Sequence, residues 1–197
     1  MPFVVVLQNL IMKHIAAPLG LLSIGFGPAG IPVPPPLGEP VTAENAKQPV
    51  GHIRADSVLT PLYPNWGAMP DNPVALGPAG RAHIDLDDLL TYLMAHASQS
   101  PALLPPKQWA VLHSPVGDGE FALGWAVSPS GLLLHSGSNT LNFAEVALDL
   151  KRGAVAAVVS NDASSQGTID DTIASALQAA YAARALADNA AIAAGSN

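Results

Sequence analysis

Residues 132–143, Leu-Leu-Leu-His-Ser-Gly-Ser-Asn-Thr-Leu-Asn-Phe, place an imidazole, two hydroxyls and a glycine between two apolar runs. His135 beside Ser136 and Ser138 brings together the residue types of nucleophilic catalysis: a hydroxyl to attack a carbonyl and a ring nitrogen to take its proton. Neighbours on a strand point to opposite faces, so His135 pairs less readily with Ser136 than with Ser138 across a turn. The usual devices that activate a serine are absent, because the 197 residues contain neither Gly-x-Ser-x-Gly nor Ser-x-x-Lys. Residue types alone therefore leave two readings open, a plain turn and the edge of an active site.

Metal chemistry has weaker support. The six histidines, at 14, 52, 83, 96, 113 and 135, include no His-x-His and no i, i+4 pair able to meet one ion. In His83-Ile84-Asp85, a helix-capping role for Asp85 accounts for the carboxylate. There is no cysteine, which excludes disulfides, thiolate metal sites and cysteine nucleophiles. No metal and no cofactor are expected. The net charge is −7 with only eight Lys and Arg. These are scattered, so no basic patch exists to hold nucleic acid.

The elements that must position these groups follow from pattern. The chain suits one domain, 1–197, of mixed α+β class. Residues 3–16 read as a buried amphipathic helix stopped by Pro18 and Gly20, with Lys13 and His14 breaking any membrane span and no signal peptide evident. Compartment is undetermined. Residues 28–80 read as a proline-rich loop region, with 31–40 extended as polyproline II and Pro61, Pro64, Pro70, Pro73 and Pro78 opposing regular structure. From 81 onward order returns.

The run 84–97 has Leu86, Leu89, Leu90, Leu93 and Met94 at helical spacing, acidic residues in its first turn, and His96 placed to suit the dipole at its last. A short helix is expected from Pro106. Three or four strand-like runs follow, at 121–128, 132–138, 142–150 and 153–161, separated by Pro129-Ser130-Gly131, Gly137-Ser138-Asn139 and Lys151-Arg152-Gly153. Turns that short favour antiparallel neighbours. An alanine-rich helix opened by Thr168, Asp170 and Asp171 closes the chain. The expected architecture is an antiparallel meander flanked by helices. Only 12% of residues are charged, so exposed apolar surface, and homo-oligomers formed through it, are expected.

Several segments taken in order carry a resemblance: 11–28 with Ile-x-x-Pro-Leu-Gly, 76–96 with Pro-Ala-Gly leading into an Asp-Leu helix, 103–115, and 121–162 with Leu-Gly-Trp, His-Ser-Gly and a closing Asn. Together they resemble the β-lactamase-related serine hydrolases, the family of class C β-lactamases, D-alanyl-D-alanine carboxypeptidases and certain esterases. The resemblance implies a partial β-lactamase/transpeptidase-like fold lacking its N-terminal half. It also implies a small-molecule substrate with an ester, lactone or amide carbonyl.

His135-Ser136-Gly137 matches the family's His-x-Gly motif on a strand lining the active site. The resemblance implies that His135 and Ser136 contact substrate and that the Ser138 N–H supplies half of an oxyanion hole. Gly137 and Asn139 would then bind substrate. The family's Ser-x-x-Lys and Tyr-x-Asn lie upstream of the Pro-Leu-Gly piece, and Tyr63-Pro64-Asn65 has the second motif's letters in another place. Two functions follow as expectations: a hydrolase, with His135, Ser136 and Ser138 as catalytic candidates, or a catalytically incomplete fragment or binding module.

Overall fold

The structure, a computed structural model, describes residues 2–28, 49–62 and 71–195. Tyr63-Pro64-Asn65 and the polyproline stretch lie outside the described residues. The chain folds as two compact units, each built from separated segments: Met1–Asp88, Gly137–Ala144 and Val159–Gln166 form the first, and Leu89–Ser136, Glu145–Val158 and Gly167–Asn197 the second.

In the first unit, α1 (Pro2–Ile11) continues through a π-helical turn (Met12–Ala16) into α2 (Ala17–Leu19). Pro18 does not stop this helix, contrary to the sequence expectation. It lacks an N–H and its ring crowds the carbonyl four residues back, and the widened turn just before it relieves that crowding. The chain ends the helix at Gly20, whose φ of 69° is left-handed. Nor is the helix buried along most of its described length: Val5, Val6, Leu10 and Met12 are exposed, and among the described residues burial is confined to Ala16 and to Leu21 just beyond it.

The expected loop at 28–80 also contains regular structure. β2 (His52–Ala55) and β3 (Val58–Pro61) form an antiparallel hairpin. Asp56 and Ser57 both have positive φ, the conformation that a two-residue hairpin turn requires. Pro61 closes β3, a position where the lost donor does little harm. His52 anchors the hairpin through N–H to Asn161 C=O (2.8 Å), and Arg54 through its guanidinium to Asp162 (2.6 Å). A 3₁₀ turn (Val74–Leu76) and α3 (Gly77–Gly80) follow.

A second small ladder pairs β1 (Gly25–Phe26) with β4 (Ala82–His83). The His83 ring lies over Gly25, held by Nδ1–H donating to the Gly27 carbonyl at 2.9 Å. A Cβ on Gly25 would meet Nε2 and Cε1 of that ring inside van der Waals contact. Gly25→Ala is therefore expected to cost about 1–3 kcal/mol in urea unfolding. His83→Ala in the same chain should recover part of that loss, and an additive double mutant would refute the contact.

α4 (Leu86–Ala97) forms where its periodicity places it. Asp85 Oδ1 accepts the Asp88 N–H at 2.8 Å, the expected cap. Asp88 Oδ2 in turn accepts the Leu22 N–H, the Ser23 N–H and the Ser23 hydroxyl, each at 2.7 Å. These Ser23 and Leu22 donors hold the Asp88 carboxyl below the usual carboxylate range.

The second unit carries most of a four-stranded sheet in meander order, β5 (Ala126–Val127), β6 (Leu133–Ser138), β7 (Phe143–Asp149) and β8 (Ala154–Ser160). Connections this short leave only antiparallel pairing. Side chains alternate as the strand period demands. Leu133, Val146 and Leu148 join Leu93 of α4 and Trp125 in one core, while Ala147, Ala154 and Ala156 pack on Ile173 and Leu177 of α6 (Gln166–Gly195). α5 (Pro106–His113) buries Trp109, whose indole N–H donates to Ser100 C=O at 3.2 Å. At the β7–β8 turn, Asp149 accepts Arg152 Nη1 (2.8 Å) and the Tyr181 hydroxyl (2.8 Å).

The α+β class and the antiparallel meander agree with the sequence reading; two boundaries do not. Residues 121–125 form a tight turn instead of the first half of a strand. Gly124 has φ 85° and Ala122 N–H bonds Trp125 C=O, so the chain folds back before β5 begins. The turn expected at Gly137-Ser138-Asn139 comes later, because β6 runs through Ser138 and the chain reverses at 139–142.

Candidate functional site: the β6 edge

Strand β6 is buried at Leu133 and exposed at each of His135, Ser136, Gly137 and Ser138. β5 is only two residues long and pairs with Leu133 and Leu134. Beyond Leu134 that side of β6 has no strand partner among the described residues.

Two backbone bonds settle which polar groups face the open side. Ser128 N–H donates to Leu132 C=O, turning the main-chain groups of Leu132, and by alternation those of Leu134, Ser136 and Ser138, toward the β5 side. Asn139 N–H donates to Asn142 C=O, turning the odd-numbered residues toward β7. The N–H and C=O groups of Ser136 and Ser138 thus point out of the open edge.

His135 shares the sheet face of Leu133 and Trp125. Its Nδ1–H donates to the Gly124 carbonyl at 2.9 Å, a tautomer that leaves the lone pair on Nε2. Its ring also meets the Trp125 ring edge-on, centroids 6.2 Å apart. Ser136 lies on the other face of the sheet. Its hydroxyl has no hydrogen bond among the described residues.

Ser138 and Asn139 are occupied locally. Ser138 Oγ donates to Asn142 C=O and accepts Thr140 N–H, both at 3.0 Å. Asn139 Oδ1 accepts the N–H groups of Leu141 and Asn142, and its Nδ2 donates to Asp71 at 3.1 Å. These bonds build the turn and carry Thr140 into its positive φ of 72°. The side chains of His135, Ser136 and Ser138 are each exposed, and none of their hydrogen bonds forms a hydroxyl–imidazole pair.

Gly137 faces open space, with nothing within 4 Å of a Cβ placed there. Gly137→Ala should therefore leave the unfolding midpoint unchanged or raise it slightly, since glycine inside a strand costs about 0.5–1 kcal/mol relative to alanine. A marked loss of stability on that substitution would show that the glycine serves the fold.

Two sets of groups escaped sequence reasoning. His96, expected to serve a helix terminus as a cation, is buried. Its Nδ1 lies 3.0 Å from His113 Nε2, and its ring packs against Tyr92, Trp109 and Trp125. Burial first, and the neighbouring His113 second, push its pKa down to about 4. Burial lowers that of His113 as well. The signal was its spacing, since Leu89, Leu93 and His96 fall on one helical stripe.

Glu145 of β7 is the other. Its Oε2 is buried without a hydrogen-bond partner, and burial and the Asp170 carboxyl raise its pKa.

No protein-family model and no curated protein matches the chain. Among solved structures the fold is shared with a penicillin-binding protein homologue. That structure is the octameric penicillin-binding protein homologue from Pyrococcus abyssi, with 17% sequence identity and a TM-score of 0.55. The match covers 79% of this chain and 33% of that one, so this chain spans about a third of its neighbour's length.

Proposed function

We propose that this chain is the substrate-lining part of a β-lactamase-related serine hydrolase fold, and that the open edge of β6 binds a ligand with an ester, lactone or amide carbonyl. The supporting observation is the pair of outward N–H groups at Ser136 and Ser138, on a strand whose Gly137 leaves room above it. These two donors lie two residues apart, about 7 Å along the strand, so each can hold a separate carbonyl oxygen without reorganisation, as when an extended ligand adds to such an edge as a further strand. His135, fixed through Nδ1–H to the Gly124 carbonyl, keeps Nε2 as an acceptor for the N–H of an amide ligand.

The chain by itself binds and does not turn over. Ser138 serves the turn, and the Ser136 hydroxyl has no base beside it. Neither activating motif occurs in the sequence. A fluorophosphonate probe is expected to label no serine, and hydrolysis of p-nitrophenyl acetate to stay the same in Ser136→Ala. One labelled serine, with turnover lost on its replacement, would make the chain an acyl-enzyme former instead. The exposed Val5, Val6, Leu10 and Met12 support self-association, as does the octameric state of the structural neighbour.

A further inference from the structure

We propose that the buried His96–His113 pair is an acid-operated latch on the β6 edge, acting through Trp125 and the Gly124 carbonyl on His135. The inference rests on the reading of that edge as the binding site and names how the site is regulated.

The contacts form one continuous path inside the second unit. His96 Nδ1 and His113 Nε2 share one hydrogen bond at 3.0 Å. The His96 ring meets the Trp125 ring edge-on with centroids 5.4 Å apart, and Trp125 meets His135 in the same manner at 6.2 Å. Gly124, the residue before Trp125, supplies the carbonyl that fixes His135 Nδ1–H.

Proton positions explain why acid would open the latch. His113 Nδ1 is buried and without a partner. An orphaned lone pair is tolerated better than an orphaned N–H, so the shared proton sits on His113 Nε2 and His96 Nδ1 accepts it. A further proton has two places to go. On His96 Nδ1 it turns the acceptor into a donor and sets two N–H groups against each other. On His113 Nδ1 it creates a buried N–H and a charge with nothing to receive them.

The groups packed on the pair offer no compensation. Tyr92 and His96 come from α4, Trp109 and His113 from α5, and Trp125 from the turn before β5. Tyr92 is the titratable group among these neighbours, and its own pKa is raised by burial. No carboxylate bonds either imidazole among the described residues. The charged pair therefore separates, and the Trp125 ring wedged between His96 and His135 moves with it.

The test is a pH titration by ¹H–¹⁵N NMR of the full chain carrying His135→Gln, which takes away that imidazole. Expected are shifts of the Gly124, Trp125 and Ser136 amides with a common midpoint near the value of about 4 to which burial pushes His96. They should vanish when His96→Asn and His113→Gln are added together, since an acceptor and a donor remain and neither side chain titrates. His113→Gln alone, which leaves only the His96 Nδ1 site, should weaken and move the shifts, and serves if the double variant fails to fold. The proposal is overturned if those amides stay fixed while the pair titrates, or if all amides collapse together, which would make the pair a plain stability element. The readout uses no ligand, so it stands or falls separately from ligand binding. If both hold, a carbonyl ligand bound at pH 7.5 is released at pH 4 by the parent chain and retained by the chain carrying His96→Asn and His113→Gln.

Discussion

Trp125→Ala is expected to lower the unfolding free energy by about 3–5 kcal/mol, the range for removing a buried indole from a packed core. That is a large part of the 5–15 kcal/mol typical of a whole domain. Trp125 is 7% exposed and joins Leu93, Ala122, Leu133, Val146 and Leu148, residues drawn from α4, β6, β7 and the 122–125 turn. Its loss leaves a cavity that none of these can fill alone, and it removes the ring against which both His96 and His135 rest. Urea unfolding followed by circular dichroism measures the effect. Trp125→Phe keeps a ring at the same place and should recover more than half of the loss. A loss below about 1 kcal/mol for the alanine variant would show that Trp125 is not a keystone of this core.

Acidification should produce the second large effect. His96 is 3% exposed, and its pKa is pushed from the ordinary 6.5 down to about 4. The folded state thus favours the neutral ring, and between these values the unfolded chain binds more protons than the folded one. Stability from this group is full above pH 6.5 and falls as pH drops toward 4, by about 3 kcal/mol in total. His113 shifts in the same direction and adds to the slope.

Glu145 runs the other way, because its raised pKa gives stability that is lost as pH climbs. Asp162 enters only in stronger acid. The Ser164 and Arg54 side chains bonded to it hold its pKa near about 2, so its contribution fades below the ordinary carboxylate value of 3.8. Urea midpoints recorded from pH 7.5 to 4 should fall steadily in the parent chain and much less in His96→Leu. A flat profile in the parent would contradict the burial of a neutral imidazole pair.

Helices and meander were readable because each obeys a local rule. Leucine spacing and Asp85 mark α4, alanine content marks α6, and Gly131 and Gly153, both at positive φ, mark the turns between strands. The hairpin at 52–61 was hidden, since Asp-Ser is an uncommon pair for two left-handed residues and the prolines around it argued for loop. The true end of β6 was hidden for a related reason. Asn139 reverses the chain with its side chain, so Gly137-Ser138 looked like the turn when it is the last of the strand.

The candidate site was half readable. His135, Ser136 and Gly137 could be picked out as polar residues ending an apolar run, and the faces of His135 and Ser136 followed from strand period. The open edge could not be seen, because it depends on β5 starting only at Ala126, which is set by the Gly124 turn. The buried histidine pair depends on two helices meeting, and no spacing within one helix reveals a partner on another.

The most direct measurement is an NMR titration of the ¹⁵N-labelled chain at pH 7.5 with a non-hydrolysable ketone analogue of an acyl ester, an extended ligand with one carbonyl. Saturable shifts are predicted at the amides of Gly124, His135, Ser136, Gly137 and Ser138, weakened at least tenfold by Gly137→Val, which fills the open space over the strand. Saturable shifts centred away from β6, or unchanged by Gly137→Val, would show that this edge is not where a carbonyl is held.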